Sequence, residues 1–541
     1  MRTVDPDLWS KRAKKPILNL TRPYKFGLKY SPLEVRLRSS LKDALKELWK
    51  HSGVQGPKFV ADKNINPMIR WCYLLLLIAT FIASLSLVVQ LWYVYRMVPP
   101  LIVNELMEDD VLNNITFPAV AICSNNVISK PALDKYARYL LSLDRNRTYA
   151  LNSIKSNLMA FGALFNMAFT PYEHDFMKWL VAVTKETNVT KIMYELTPPC
   201  RTLLVRCAWH ARAYRCAELF TRRITPFGFC CVFNSRYICI SRSMDRDSTL
   251  YQLNETGIAA GLAVVARENP DDFAFIRRPG YEFLVLLFDG DNYPLLSSGM
   301  VRVFLAPCNT SSLIMLKTYT QYASYDLDHY SEEMRGCRLP GSNGEFDLHS
   351  WSTCLMVCQR NAAIALCNCA PFTMPDYDGD EAPECTLEHL HCLAKHREKF
   401  RFFFPGDTSD ESLNEEEVNS LYCMGPEACM PDCTRQLHTA RVTMIRHDND
   451  TRVLKTNFLK GLDMTNATII SIFYESDTQK LTIIETNNPW YEVIGLLCCM
   501  EVFILSITLV NVFEVVYFCT IRWIYHYRRR KRLLQLLIRK K

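Results

Sequence analysis

The sequence predicts a membrane protein with two transmembrane helices and a large, disulfide-rich α+β extracellular domain. Two apolar runs among its 541 residues are long enough to cross about 30 Å of hydrocarbon. Both chain ends are basic, and most of the cysteines lie between the two runs. The predicted segments are a cytoplasmic N-terminus (1–69), a first transmembrane helix (70–96), an extracellular domain (97–490), a second transmembrane helix (491–519) and a basic cytoplasmic tail (520–541).

Leucines recur at helical spacing before the first apolar run, in a stretch that is rich in lysine and arginine. Leu37, Leu41, Leu45 and Leu48 lie on one side of the predicted helix. This pattern predicts an amphipathic helix at the membrane surface. A tight turn is expected after it, at Gly56.

The two apolar runs differ in their charges. Trp71–Val94 contains no charged residue and has aromatic residues at both ends, as is typical of a spanning helix. Val493–Phe518 carries Glu501 and Glu514. A carboxylate inside a membrane costs several kcal/mol unless it faces water or a partner. The second run is therefore expected to line a pore or a packed interface.

Charge sets the expected orientation. Residues 1–68 contain 15 lysines and arginines against 6 acidic residues, and residues 519–541 contain 9 against none. Basic residues that flank transmembrane helices stay in the cytoplasm, so both termini are expected inside and the central segment outside. The basic run Arg528–Arg532 is typical either of a nucleic-acid patch or of attraction to anionic lipid. Its place beside a span favours lipid, and no nucleic-acid partner is predicted.

Cysteines and glycosylation motifs agree with an extracellular central segment. Of 22 cysteines, 18 lie between Cys123 and Cys433, and an oxidising compartment would let them form up to nine disulfides. N-glycosylation motifs occur in the same segment at Asn114, Asn146, Asn188, Asn254, Asn309, Asn449 and Asn466.

Several short runs in the central segment favour strands. The run ITFPAVAIC, residues 115–123, is rich in β-branched and apolar residues. Similar runs are Tyr281–Phe288, Met300–Leu305 and Thr468–Tyr474. The stretch 337–433 has closely spaced cysteines and acidic, proline-containing interruptions. It is expected to be held by crosslinks more than by an apolar core.

Two groups of motifs resemble a known family. Topology alone fits both degenerin/epithelial sodium channels and ATP-gated channels. However, Phe117–Cys123 resembles the FPAVTIC motif that follows the first helix of the degenerin/epithelial sodium channel family. The cysteines from Cys337 to Cys433 are similar in order and spacing to the thumb domain of that family. The GCRLPG motif and the closely spaced cysteines before it resemble the insect pickpocket branch. The resemblance extends from about Ser52 to Arg522.

The resemblance implies the fold of an acid-sensing ion channel, with three subunits around one pore and a stack of disulfides that clips two helices together. A cytosolic zinc cluster is the alternative for the same cysteines, and the topology disfavours it. The implied pairs are Cys337 with Cys433, Cys354 with Cys429, Cys358 with Cys423, Cys367 with Cys392, and Cys369 with Cys385. Reasoning from the residues alone leaves the pairing open.

The resemblance also implies where ions pass. Aligned on Glu514, the selectivity filter is Ser506-Ile507-Thr508, and the inner polar position is Asn511. Such groups replace the water that an ion loses in a constriction. The alternative explanation is that the hydroxyl groups of Ser506 and Thr508 bond back to the preceding helical turn.

The chain departs from the family pattern on both sides of the membrane. Glu501 is an additional acidic pore candidate, and Gln55-Gly56 occupies the place of a His-Gly pair that affects opening in the family. Loss of small glycines puts the filter geometry, and hence sodium selectivity, in question. The residues at those glycine positions are Cys498, Cys499 and Val502.

Two further clusters have ordinary explanations. His389, His391 and His396 are expected to be surface residues, with zinc binding or proton sensing as the alternatives. The acidic run Asp376–Glu384 is expected to be a solvated loop, with a response to pH or calcium as the alternative. No catalytic motif is present, so no enzyme, metal site or cofactor is predicted.

The sequence thus predicts an amiloride-sensitive cation channel subunit of the plasma membrane, in a sensory or epithelial cell. Its expected partners are membrane lipid, sodium or other monovalent cations, and related subunits in a homo- or heterotrimer. A non-conducting accessory or receptor subunit that modulates related channels is the alternative, and the replaced glycines favour it.

Overall fold

A computed structural model describes most of the chain, which divides into two compact units. The terminal unit is made of residues 1–98 and 488–541, and the central unit of residues 99–487. The described residues are 33–51, 60, 65–97, 101–111, 115–186, 188–237, 250–253, 255–339, 350–376, 382–400, 414, 418, 423, 429–447, 458–486, 490–505 and 509–539.

Fifteen α-helices lie in the described residues. In chain order they are α1 Leu33–His51, α2 Pro67–Met97, α3 Lys130–Leu143, α4 Leu151–Ala160, α5 Ala163–Asn166, α6 Phe176–Thr184, α7 Val189–Leu196, α8 Cys200–Leu203, α9 Cys216–Leu219, α10 Glu332–Arg335, α11 Trp351–Cys367, α12 Leu390–His396, α13 Trp490–Leu505, α14 Leu509–Tyr517 and α15 Trp523–Arg539. A π-helical turn, Phe518–Arg522, joins α14 to α15.

Seventeen strands lie in the described residues, all of them in the central unit. They are β1 Leu101–Val111, β2 Ile115–Thr116, β3 Ala119–Ser124, β4 Asn126–Ser129, β5 Leu204–Trp209, β6 Arg212–Tyr214, β7 Phe220–Thr225, β8 Gly228–Phe233, β9 Gln252–Leu253, β10 Leu262–Arg267, β11 Phe273–Ile276, β12 Glu282–Phe288, β13 Arg302–Pro307, β14 Thr310–Ala323, β15 Arg435–Arg446, β16 Ala467–Tyr474 and β17 Thr478–Thr486.

The terminal unit contains the predicted transmembrane segments. In the described part of the chain one helix is long and apolar enough to cross a membrane, and it spans Pro67–Val94 within α2. Pro67 suits its first turn, where a missing N–H costs nothing. Helices α13 and α14 cover the predicted second span on either side of residues 506–508, which lie outside the described residues. The apolar stretch of α13, Tyr491–Met500, is itself too short to cross.

Two large sheets organise the central unit. Eight strands form one sheet in the order β1-β17-β14-β16-β10-β5-β6, with β15 also paired to β14. Five strands form the other in the order β13-β12-β3-β8-β7. Strand β14 is parallel to β16 and β17, whereas β3 is antiparallel to both of its neighbours. The pairs β11-β4 and β2-β9 form separate two-stranded sheets.

Strand β3 is buried on both faces. Ile122 packs in one core with residues of both large sheets, including Val264 of β10 and Ile472 of β16. Ala121, on the opposite face, packs in a second core with Met356 of α11. A strand covered on both sides needs apolar residues at every position, which explains why this run does not alternate.

The strand predictions are confirmed, with one correction. β12, β13 and β16 lie where strand-like runs were expected. The run 115–123 was expected to be one strand and is instead two, β2 and β3, separated by Phe117 and Pro118. Proline has no backbone N–H to donate to a ladder, which accounts for the interruption.

Helices α3, α4, α6, α7 and α12 contribute to a third core. Side-chain caps satisfy N–H groups at the starts of helices in the central unit. Ser129 accepts a hydrogen bond from the backbone of the first turn of α3, Asn188 does so for α7, and Ser350 for α11. Such caps satisfy backbone groups that the helix itself leaves unpaired.

Candidate functional site

Helix α14 carries two of the predicted pore residues. Asn511 is 7% exposed, and Glu514 is half-buried three residues later, so both lie toward one face. The remaining surface of the helix is apolar and open: Val510, Val512 and Phe513 are each more than half exposed. An apolar exposed surface around one polar face suits a helix that separates lipid from polar surroundings.

The filter and gating predictions fall outside what the structure describes. Ser506, Ile507 and Thr508 precede α14 directly in the chain, and they lie outside the described residues, as do Gln55 and Gly56. Of Glu501, only its place in α13 is described. These assignments stay predictions.

Helix α13 contains the positions at which the family pattern has small glycines. Cys498 and Cys499 are free thiols with exposed side chains, and Val502 is 45% exposed. Gly495, one turn earlier, has open space where a side chain would extend. Larger residues are thus accommodated on this helix within the terminal unit.

Eight disulfides lie in the described residues, all in the central unit. Five of them are the pairs that the resemblance implied: Cys337–Cys433, Cys354–Cys429, Cys358–Cys423, Cys367–Cys392 and Cys369–Cys385. Helix α11 carries Cys354, Cys358 and Cys367, and α12 carries Cys392. The cysteines therefore link α11 to α12 and to the segment around residues 423–433.

Three more disulfides were left open by the sequence. They are Cys123–Cys230, Cys200–Cys231 and Cys207–Cys216. Successive side chains of a strand point to opposite faces, so the adjacent cysteines 230 and 231 of β8 reach different partners. Cys308 is a free thiol, and Cys239 lies outside the described residues, so nine pairs are not formed within the described part of the chain.

The predicted glycosylation motifs differ in their surroundings. Asn146 and Asn188 are exposed. Asn309 and Asn466 are half-buried, and Asn309 Oδ1 accepts a hydrogen bond from the Asn466 backbone N–H at 3.0 Å. The other three motifs, Asn114, Asn254 and Asn449, lie outside the described residues.

The histidine cluster is not uniformly at the surface. His391 is exposed, as expected, but His396 is buried at 6% exposure, so the prediction is wrong for His396. His389 is half-buried and forms a capping box with Thr386, and burial lowers its pKa. The described residues contain no group of side chains able to hold a metal ion.

The acidic run is likewise only partly a solvated loop. Glu384 accepts hydrogen bonds from the Thr190 backbone N–H and hydroxyl at 3.0 and 2.6 Å, at the start of α7. A carboxylate there complements the positive end of the helix. Asp376 lies 3.8 Å from Arg360, and residues 377–381 lie outside the described residues.

A buried carboxyl group that the sequence reasoning missed joins the two large sheets. Glu268 follows β10 and is 2% exposed. Its Oε1 accepts hydrogen bonds from the Ser124 hydroxyl at 2.5 Å and the Asn125 backbone N–H at 3.2 Å, both at the end of β3. Its Oε2 has no hydrogen-bond partner among the described residues. Burial raises the pKa of Glu268 to about 7.

No simple sequence signal marks this group, because one acid after an apolar strand usually faces water. The free thiol of Cys308 lies near Glu268, and burial raises the Cys308 pKa to about 12. A thiol with that pKa stays protonated and is a poor nucleophile. The pair therefore forms a buried polar junction between sheets.

Comparison with known proteins agrees with the motifs. A family model described as amiloride-sensitive sodium channel matches residues 48–518. A sodium channel protein Nach from Drosophila ananassae is 22% identical over 373 residues, which cover 69% of each chain.

Two further relatives come from Drosophila melanogaster. Pickpocket protein 28 is 20% identical over 448 residues, covering 77% of this chain and 67% of the relative. Pickpocket protein 19 is 23% identical over 441 residues, covering 77% and 80%. Because the family match takes in most of the chain and both hydrophobic segments, this chain belongs to the amiloride-sensitive sodium channel family, of the degenerin/epithelial sodium channel type.

Proposed function

We propose that the chain is a pore-forming subunit of a gated, sodium-permeable cation channel of the plasma membrane, in a sensory or epithelial cell. The observation that carries this proposal is the polar face of α14, where Asn511 and Glu514 interrupt an otherwise apolar, exposed helix. The predicted filter, Ser506 to Thr508, directly precedes it. Hydroxyl and carbonyl groups there would replace water around an ion, and Glu514 would favour cations.

The proposed topology places both termini in the cytoplasm and the central unit outside. Eight disulfides support an oxidising environment for the central unit. Exposed Arg38, Lys42 and Lys46 on α1, with Arg528 and Arg529 on α15, support contact with anionic lipid on the cytoplasmic side.

The proposed assembly is a homo- or heterotrimer with related subunits. One α14 helix cannot enclose a water-filled path by itself, so conduction needs further copies around it. The second candidate function is a non-conducting accessory subunit. The larger residues at the expected glycine positions, Cys498, Cys499 and Val502, favour this alternative, because they alter how closely helices approach above the filter.

Expression of the chain alone in a cell with low background current tests the choice. Delivery to the surface is first verified by biotinylation. If the chain conducts, Thr508→Ser is expected to shift the reversal potential measured with opposed sodium and potassium, because it removes a methyl group from the filter. Val515→Thr, on the exposed apolar surface of α14, is the matched control and is expected to leave it unchanged.

A bulky residue, Ser506→Trp, is expected to change the current amplitude strongly. If neither stimulus nor Ser506→Trp produces current, and current appears only with co-expressed relatives and without any effect of Thr508→Ser, the accessory function is correct.

A further inference from the structure

The two ends of the chain meet in a ladder of polar contacts within the terminal unit. Near the end of α1, Glu47 accepts two hydrogen bonds from the guanidinium of Arg522, at 2.9 and 2.5 Å. His526 Nε2 lies 2.8 Å from the same carboxylate. One and two turns earlier on α1, Asp43 and Ser39 both contact Arg530.

These contacts join residues 522–530 to residues 39–47 of α1. The Trp523 indole N–H also donates to the Leu37 backbone oxygen at 3.2 Å. The interface therefore includes about three turns of α1, from Leu37 to Glu47.

Small side chains allow the helices to approach closely. Ser40 and Ala44, one turn apart on α1, are 0% and 1% exposed. The predicted leucine stripe lies beside this face; three of its leucines are half-buried, and Leu45 is 37% exposed. The face bearing Ser40, Ala44 and Glu47 is thus committed to the rest of the terminal unit.

Position along the C-terminal segment decides which of its basic residues pair with α1. Arg522 and Arg530 are paired with acidic residues of α1, whereas Arg528 and Arg532 are exposed. The Arg522 hydrogen bonds lower the pKa of Glu47 to about 2, so this carboxylate is ionised at physiological pH. Two-point arginine–carboxylate contacts are stronger and more directional than single surface ion pairs.

We propose that the face of α1 bearing Ser39, Asp43 and Glu47 is a docking surface for the C-terminal helix of the same chain, and that the two helices form a clasp. The clasp couples the segment before the first transmembrane helix to the end of the second hydrophobic segment. A displacement of either one is then transmitted to the other through the terminal helices. This inference goes beyond the proposed conduction and does not depend on it.

Hydrogen–deuterium exchange of the full chain in phosphatidylcholine nanodiscs, read by mass spectrometry over residues 37–51, tests the clasp without any current. Arg522→Glu is expected to speed exchange in this segment about tenfold, the factor that corresponds to losing a charge-assisted hydrogen-bond pair. Arg528→Glu makes the same charge change on the exposed side of α15 and is the matched control. The exchanged pair, Glu47→Arg with Arg522→Glu, is expected to restore slow exchange.

Equal exchange in wild type, Arg522→Glu and Arg528→Glu would overturn the clasp, as would failure of the exchanged pair to restore protection. Exchange in β3 and β12 reports whether the central unit remains folded. If Arg522→Glu disturbs those strands, Glu47→Gln replaces it as the milder test. The clasp then requires faster exchange in residues 37–51 with unchanged exchange in β3 and β12.

Discussion

Replacing Glu268 by glutamine is expected to remove a pH dependence from the stability of the central unit. The native carboxyl group has its pKa raised from 4.5 to about 7, chiefly by burial and further by the nearby charges of Glu282 and Asp272. The folded state therefore binds a proton more tightly than the unfolded state does. The stability that this proton contributes is fully present below pH 4.5 and is lost as the pH rises through 7.

The size of the effect follows from the shift. A pKa shift of this size corresponds to about 3 kcal/mol of folding free energy for a buried group. The central unit has 389 residues, from 99 to 487. At about 2 cal/mol/K of unfolding entropy per residue, this free energy amounts to about 4 °C in melting temperature. Glutamine cannot ionise. The melting temperature of Glu268→Gln minus that of wild type should therefore be about 4 °C larger at pH 8 than at pH 4.5.

The assay is thermal unfolding of the detergent-solubilised full chain at one scan rate, followed by tryptophan fluorescence between pH 4.5 and 8. An offset common to every pH is expected, because the glutamine amide adds donors that need partners, so the slope with pH is the test. Glu255→Gln, which changes a mostly exposed carboxyl group, is the control. A variant difference that is the same at pH 4.5 and pH 8 would refute the reasoning.

Two other changes should destabilise the central unit in proportion to what each removes. Replacing Cys369 and Cys385 by alanine opens a loop with a sequence separation of 16, which costs about 3 kcal/mol in the chain-entropy account. The denaturant midpoint under non-reducing conditions should therefore fall. An unchanged midpoint would contradict this account. Gly228→Ala should cost more than Gly257→Ala in the same titration, since both have positive φ, but only at Gly228 would the new Cβ lie 2.1 Å from the Phe165 ring. Equal costs would show that Phe165 moves aside freely.

Sequence patterns predicted elements whose burial follows from a local run of residues, such as a strand that is covered on both faces. Tyr281–Phe288 is apolar nearly throughout because β12 lies between β13 and β3 and is covered on both faces. The clasp face of α1 was not predictable in this way. Its partner lies more than 470 residues away in the chain, and a leucine stripe is a stronger local signal than the spacing of Ser40, Ala44 and Glu47.

Disulfide pairing, like the clasp face, depends on contacts between residues that are far apart in the chain. Spacing identifies a crosslinked region but does not choose among pairings, because each bond depends on which elements the fold brings within about 6 Å. The resemblance to a family supplied five pairs. The pairs of Cys230 and Cys231 needed the strand itself, since only the alternation along β8 separates their partners.

The surface of α14 shows how a helix that carries a carboxylate can lie in a membrane. A lone helix whose apolar residues Val510, Val512 and Phe513 face outward can bury them in lipid, but Glu514 gains nothing from lipid on its own side. Its carboxylate is compatible with a membrane only if polar groups or water lie along that face, and the burial of Asn511 one turn earlier shows that other residues of the chain cover part of it. The polar face of α14 is therefore accommodated by burial within the terminal unit, and its apolar face is suited to lipid.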